Sequence, residues 1–163
     1  MAASKPERSM LVAIAALCIA GVGAALVAQY RFEMNPCPWC ILQRVIYVVI
    51  ALLCIAGALL PAATRKAFAG GALLFALLGA AAAVYQHVVA AQQSSCNLTL
   101  ADKVINALGL ESLLPSLFQV TATCADAAVS VFGVPFEYWS LALFALLALM
   151  ALRVLARPAA RAN

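Results

Sequence analysis

Four apolar runs, Met10 to Ala28, Ile41 to Leu60, Ala67 to Tyr85 and Tyr138 to Leu155, constrain this chain more than any other feature. A hydrocarbon core about 30 Å thick is crossed by about 20 helical residues, and each run is close to that length. Inside a bilayer no water is present to pair backbone N–H and C=O groups, so such a segment must be helical. The expected fold is all-α: a four-transmembrane-helix bundle forming a single integral membrane domain over residues 1–163, with helices at about 10–28, 41–60, 67–85 and 138–155. Composition agrees, with 67% of residues apolar and 10% charged, against about a quarter charged in soluble domains. The first run follows a basic start and could pass for a cleaved signal peptide, but its apolar stretch exceeds the usual 7 to 15 residues and is read as a retained helix.

Basic residues in short flanks are held on the cytoplasmic side. Lys5, Arg8, Arg65, Lys66, Arg153, Arg157 and Arg161 fall on one side of the spans, whereas Arg31, Arg44 and Lys103 fall on the other. Both termini and the Pro61 to Lys66 turn are therefore expected inside. The loops at about 29–40 and 86–137 are then outside, together with Cys37, Cys40, Cys96 and Cys124. Disulfides persist in that compartment. The net charge of +4 is accounted for by the inner flanks, and no basic stripe points to nucleic acid. Glycine and alanine within the spans permit close helix approach.

The long outer loop carries a pattern of its own. Thr99 precedes Asp102 by three residues, a capping arrangement, and Val104, Ile105 and Leu108 share one helical face before Gly109. A short helix lying on the membrane surface is expected there, followed by the apolar Leu110, Leu113, Leu114, Leu117 and Phe118. Such a tether would keep Cys96 near the membrane and leave Cys124 mobile; the equal alternative is a loop that simply covers the bundle.

The chemistry is concentrated in Cys37-Pro38-Trp39-Cys40 at the start of the second run. With Cys37 as cap and Pro38 at the first helical position, Cys40 falls in the first turn. Unpaired amides and the positive end of the helix dipole stabilise a thiolate there. Arg44, four residues on, shares that face. A guanidinium at the edge of a span needs a partner or a role: it could support the thiolate or hold the oxygen of a quinonoid ligand, or simply snorkel to the interface. A disulfide between residues three apart closes too small a loop to add much stability, which favours a redox role over a structural one. Cys96 and Cys124 close a larger loop, worth about 3.6 kcal/mol by chain entropy, so on their own they fit a structural bridge. A soluble protein can exchange with a CxxC at the membrane edge only through thiols that reach it, and this raises the redox reading of the second pair.

Competing chemistries fit less well. Haem attachment needs His after the CxxC, where Ile41 stands, and a zinc site usually pairs two closely spaced cysteine motifs; no metal is expected. Cys18 and Cys54 lie mid-span and read as small packing residues. His87, the single histidine, lies at the outer end of the third run and could face Arg44 across a polar headgroup. Asn97-Leu98-Thr99 matches a glycosylation acceptor, a short and unspecific motif.

Taken in order, Pro36-Cys37-Pro38-Trp39-Cys40, Arg44, Tyr85-Gln86-His87, Cys96, Cys124 and the run from Phe132 through Gly133-Val134-Pro135-Phe136-Glu137-Tyr138-Trp139 to Leu141 resemble the disulfide bond formation protein B (DsbB) family over nearly the whole chain. The resemblance implies an enzyme of the bacterial cell inner membrane, with both termini cytoplasmic and the redox cysteines periplasmic. It would reoxidise a periplasmic DsbA-like thioredoxin-fold thiol oxidase and pass the electrons to a membrane quinone, ubiquinone or menaquinone. By that resemblance Cys96 takes the attack of the partner's thiolate, Cys124 exchanges with Cys37, and Cys40 is the thiolate beside the quinone. Arg44 would help bind the quinone, with His87 a neighbour. Two positions depart from the pattern. Cys124 is followed by Ala125-Asp126-Ala127-Ala128-Val129, where members often carry an aromatic residue, and Gln43 precedes Arg44, where an acidic residue can occur. Two other readings stand beside this one: a reductase resembling vitamin K epoxide reductase, whose CxxC is expected near the last span, and a non-enzymatic membrane scaffold with structural disulfides.

Overall fold

The computed structural model describes residues 5–92 and 99–157. Four long helices, α1 (Lys5–Phe32), α2 (Pro38–Leu59), α3 (Arg65–Val88) and α7 (Phe136–Ala156), are each long and apolar enough to cross a membrane. The chain is a multi-pass membrane protein. α2 begins where the sequence supplies a cap: Cys37 is extended, its sulfur accepts from the Cys40 N–H at 3.4 Å, and Pro38 opens the first turn. It ends at Leu60 and Pro61, after which a 3₁₀ turn (Ala62–Thr64) leads into α3.

α1 packs on α2, α2 on α3 and α3 on α7, with a shorter contact between α1 and α7. Close approach depends on missing side chains. A Cβ on Gly79 would enter the ring of Phe144, and one on Gly57 would come within 2.8 Å of the Phe68 Cβ. Around these contacts Leu11, Ile14, Cys18, Ile50, Cys54, Leu147 and Val154 are buried, while Ile19, Leu52, Leu74, Leu77 and Leu149 point outward, as a lipid-facing surface requires.

Three short helices fill the segment between α3 and α7: α4 (Leu100–Ala107), α5 (Leu110–Leu113) and α6 (Pro115–Phe118). α4 opens on the capping box read from sequence, with Thr99 and Asp102 bonded reciprocally, and Gly109 follows it at φ 62°. Ile105 and Phe118 pack on Ile41, with Val45 and Val48 alongside, so α4 and α6 cover the outer flank of α2. The Tyr30 hydroxyl donates to the Ser116 carbonyl at 2.6 Å, tying the end of α1 to α6. A two-residue hairpin, β1 (Ser130–Val131) with β2 (Val134–Pro135), turns through Phe132 and Gly133, both at positive φ. The Trp139 indole N–H donates to the Val131 carbonyl at 3.3 Å and fixes this hairpin to α7.

Candidate functional site

Cys37 is the central sulfur of the site. Its Sγ lies 3.0 Å from Cys40 Sγ, and its thiol also hydrogen-bonds Cys124. The backbone explains why a residue so distant in sequence arrives here. The N–H groups of Thr121 and Ala122 both donate to the Pro36 carbonyl, at 3.1 and 3.3 Å. A turn closed by the Thr123 hydroxyl on the Asp126 carboxylate, at 2.6 Å, then carries Cys124 inward. Cys124 is buried and pinned, whereas the loop tether had suggested a mobile thiol.

Among the described residues, the two cysteines outside the spans, Cys37 and Cys124, differ in acidity. Cys124 is held below the ordinary thiol range, first by the hydrogen bond from Cys37 and then by the Trp39 backbone N–H, against the opposing effect of burial. Cys37 is pushed far up, first by its hydrogen bonding with Cys124, then by that with Cys40, and burial adds to the same effect. Cys37 is thus kept a thiol, its one S–H placed between two neighbouring sulfurs.

Behind Cys40 lies a cavity of about 160 Å³. Gly21, Ala24 and Ala25 of α1 leave the room, and Cys40, Gln43, Arg44 and Tyr47 of α2 supply one wall. Gln86 of α3 and Glu137 and Ser140 of α7 supply the polar remainder. Arg44 is buried and donates to the Gln29 side chain at 2.7 Å, the Leu117 carbonyl at 3.0 Å and the Ala25 carbonyl at 3.4 Å. Those partners are neutral oxygens, and among the described residues no carboxylate pairs with it. Its charge is therefore available to an electron-rich group in the cavity or to the Cys40 sulfur.

His87 does not line this cavity. Its Nδ1 meets Glu137 Oε1 at 2.7 Å and its ring packs on Tyr138, so it reaches the cavity only through Glu137. The structure therefore brings Cys37, Cys40, Cys124 and Arg44 together and sets His87 one residue behind; Cys96 lies outside the described residues. Gln43, Tyr47, Gln86, Glu137 and Ser140 were not assigned roles from sequence. The signal for three of them was a polar side chain inside an apolar run, at Gln43, Tyr47 and Ser140. No cluster of metal-ligating side chains occurs among the described residues.

The sequence profile of the family described as disulfide bond formation protein DsbB matches residues 7–154. Disulfide bond formation protein B 1 of Pseudomonas syringae pv. syringae is 32% identical over 146 residues, covering 88% of this chain and 86% of the relative. Disulfide bond formation protein B of Nitrosospira multiformis is 32% identical over 155 residues, covering 93% and 92%. That of Herminiimonas arsenicoxydans is 30% identical over 149 residues, covering 91% and 94%. No solved structure matches the chain. A profile that runs from the start of the first span almost to the end of the last, and relatives aligned over most of both lengths, establish that this membrane protein belongs to the DsbB family of disulfide bond formation proteins.

Proposed function

We propose that the protein oxidises the dithiol of a periplasmic DsbA-like thiol oxidase and passes the two electrons through Cys96/Cys124 and Cys37/Cys40 to a membrane quinone. The observation that carries this reading is the placement of Cys37 between Cys124 and Cys40, with the Arg44-lined cavity directly behind Cys40. In this scheme both termini are cytoplasmic and the four cysteines periplasmic, a placement the basic flanks support.

The exchange steps balance. The partner's thiolate attacks Cys96 of a Cys96–Cys124 disulfide, the partner's second thiol releases the mixed disulfide, and the pair is left reduced. Cys124, the thiol held more acidic, then attacks Cys37 of a Cys37–Cys40 disulfide and frees Cys40 as a thiolate. Cys96 attacks Cys124 in turn and restores the first disulfide, leaving two electrons on Cys37 and Cys40. A DsbA-like partner stands at about −120 mV, so removing its electrons spontaneously requires a still more oxidising acceptor. A quinone supplies that acceptor by taking two electrons and two protons.

The cavity suits such a group. Apolar space of about 150 Å³ accommodates a benzene ring, and the volume behind Cys40 is about 160 Å³. Small α1 side chains admit the ring, and Arg44 offers an uncompensated positive charge for oxygens that become electron-rich on reduction. His87 would act through Glu137. Ubiquinone and menaquinone both meet these requirements.

The test is anaerobic mixing of the purified protein with a reduced DsbA-like partner and a soluble quinone analogue, following quinone absorbance and partner thiols together. Stoichiometric transfer that is lost in Cys37→Ser and in Cys40→Ser is expected. Normal turnover by either variant, or fixed disulfides that ignore both reactants, overturns the reading in favour of a scaffold.

A further inference from the structure

A line of four hydrogen bonds runs through the buried wall of the cavity and ends on the Cys40 sulfur. The Tyr47 hydroxyl meets Ser140 Oγ at 2.9 Å, and Ser140 Oγ donates to Gln43 Oε1 at 2.5 Å. Gln43 Nε2 donates to Gln86 Oε1 at 2.7 Å, and Gln86 Nε2 donates to Cys40 Sγ at 3.3 Å. Three helices contribute, and Gln43 and Gln86 are both buried. Every donor points toward Cys40, the arrangement that favours a thiolate there.

The same residues can be satisfied in the opposite sense. Each glutamine amide carries a donor and an acceptor, so turning both amides over leaves Gln86 Oε1 facing Cys40 and lets Gln86 donate to Gln43 and Gln43 donate to Ser140. At the far end Ser140 then donates to the Tyr47 oxygen, while the Tyr47 hydroxyl donates to the Ser140 carbonyl, 3.1 Å away. No polar atom of the line loses its partner in either sense. A carboxylate in place of either glutamine could only accept and would hold one sense.

We propose that Tyr47, Ser140, Gln43 and Gln86 form a reversible hydrogen-bond relay that offers the Cys40 sulfur a donor when it is a thiolate and an acceptor when it is a thiol. Gln86 touches the reacting sulfur, and the other three are positioning residues that set its orientation. The relay explains how a half-buried sulfur keeps a hydrogen-bond partner of the right sense in either protonation state. Its value to catalysis rests on the oxidase reading above; its existence does not.

Other groups face Cys40 as well: Arg44 on its own helix, Cys37 at the cap with Cys124 behind it, and Glu137 and Tyr47 across the cavity. Substituting the amides leaves Arg44, Cys37, Cys124, Glu137 and Tyr47 in place. The experiment is the pH profile of Cys40 alkylation by iodoacetamide in the fully reduced, full-length protein, with Cys40 resolved from Cys37 by fragment mass spectrometry. Neither quinone nor partner is present, so the result is independent of electron transfer. Losing a charge-assisted hydrogen bond in Gln86→Leu is expected to slow alkylation at neutral pH by about tenfold and to move the profile to higher pH. Gln43→Leu, whose hydrogen bonds reach only Gln86 and Ser140, slows it in the same sense, and the double variant is no slower than Gln86→Leu alone. An unchanged profile in Gln86→Leu, or slowing that multiplies in the double variant, overturns the relay. Ser140→Ala removes one hydroxyl and serves if the amide variants do not fold: a profile moved to higher pH supports the relay, and the parent's profile overturns it.

Discussion

The two ends of this bundle are built from the same four helices by opposite means. Around Cys18 and Cys54 the helices meet through glycine, alanine and aliphatic side chains, with Gly57 against Phe68 and Leu11. Around Cys40 the same α2, α3 and α7 meet through Gln43, Gln86, Ser140 and Tyr47, whose polar atoms are paired with one another. Packing without polar atoms tolerates no added volume. Packing through hydrogen bonds leaves a cavity and a reactive sulfur, but every donor needs its acceptor. Substitutions at one end should therefore act on stability, and those at the other on chemistry.

The widest separation comes from Cys40→Ser. Electron transfer from partner to quinone is expected to fall to the uncatalysed background, while the thermal midpoint in detergent stays near that of the parent, because a hydroxyl replaces a thiol at an already polar position. Gly57→Ala should do the reverse. The new Cβ meets the Phe68 Cβ at 2.8 Å, and overpacking of this kind costs about 1 to 3 kcal/mol. The midpoint falls, yet activity per folded molecule is retained. A Gly57→Ala protein with full stability would show that α2 and α3 can separate freely and would erase the contrast.

Arg44 tests the boundary between the two kinds of packing, since its guanidinium joins α1, α2 and the loop through Gln29, Ala25 and Leu117. Arg44→Met keeps the apolar stem and removes the donors. A rise of about tenfold in half-saturation by the quinone analogue is expected, consistent with one lost charge-assisted contact. A fall in stability with unaltered half-saturation would make Arg44 a strut and nothing more.

Much of this contrast was legible in the sequence, and its limits have physical causes. Run length gave the spans because a bilayer leaves the backbone no alternative to a helix. The Cys37 cap, Pro38 and the Thr99–Asp102 box are local motifs, so their geometry follows from near neighbours in sequence. Contacts across the bundle are another matter. Apolar residues surround every position in these spans, so periodicity does not show which face of α3 meets α2, and the meeting of Gln43 with Gln86 was hidden. His87 shows the same limit, since its partner Glu137 stands 50 residues away on another helix. The burial of Cys124 depends on two backbone bonds to Pro36 that no side-chain pattern announces.

A smaller effect is expected at Cys124. Its thiol is held below the ordinary range chiefly because Cys37 donates to it, so its alkylation should persist to lower pH than that of an ordinary cysteine. Cys37→Ala removes that donor and leaves burial, which opposes ionisation, so the profile must move to higher pH. Peptide-resolved alkylation reads this directly, and a profile that stays in place would mean that the Trp39 N–H alone sets the acidity of Cys124.

The smallest effect is predicted where a cysteine serves only the apolar packing of the spans. Cys18 and Cys54 are fully buried among aliphatic side chains, and a thiol there behaves as a small hydrophobe. Cys18→Ala deletes one buried atom and should cost about 1 kcal/mol, with electron transfer and the alkylation of Cys40 and Cys124 unchanged. The same exchange at Cys37 removes the donor shared by two sulfurs and ends turnover. Identical chemistry deleted at two places in one bundle thus separates packing from reactivity. If Cys18→Ala altered the alkylation of Cys40, the two ends would be coupled through α2 and Tyr47, and the division drawn between them would have to be given up.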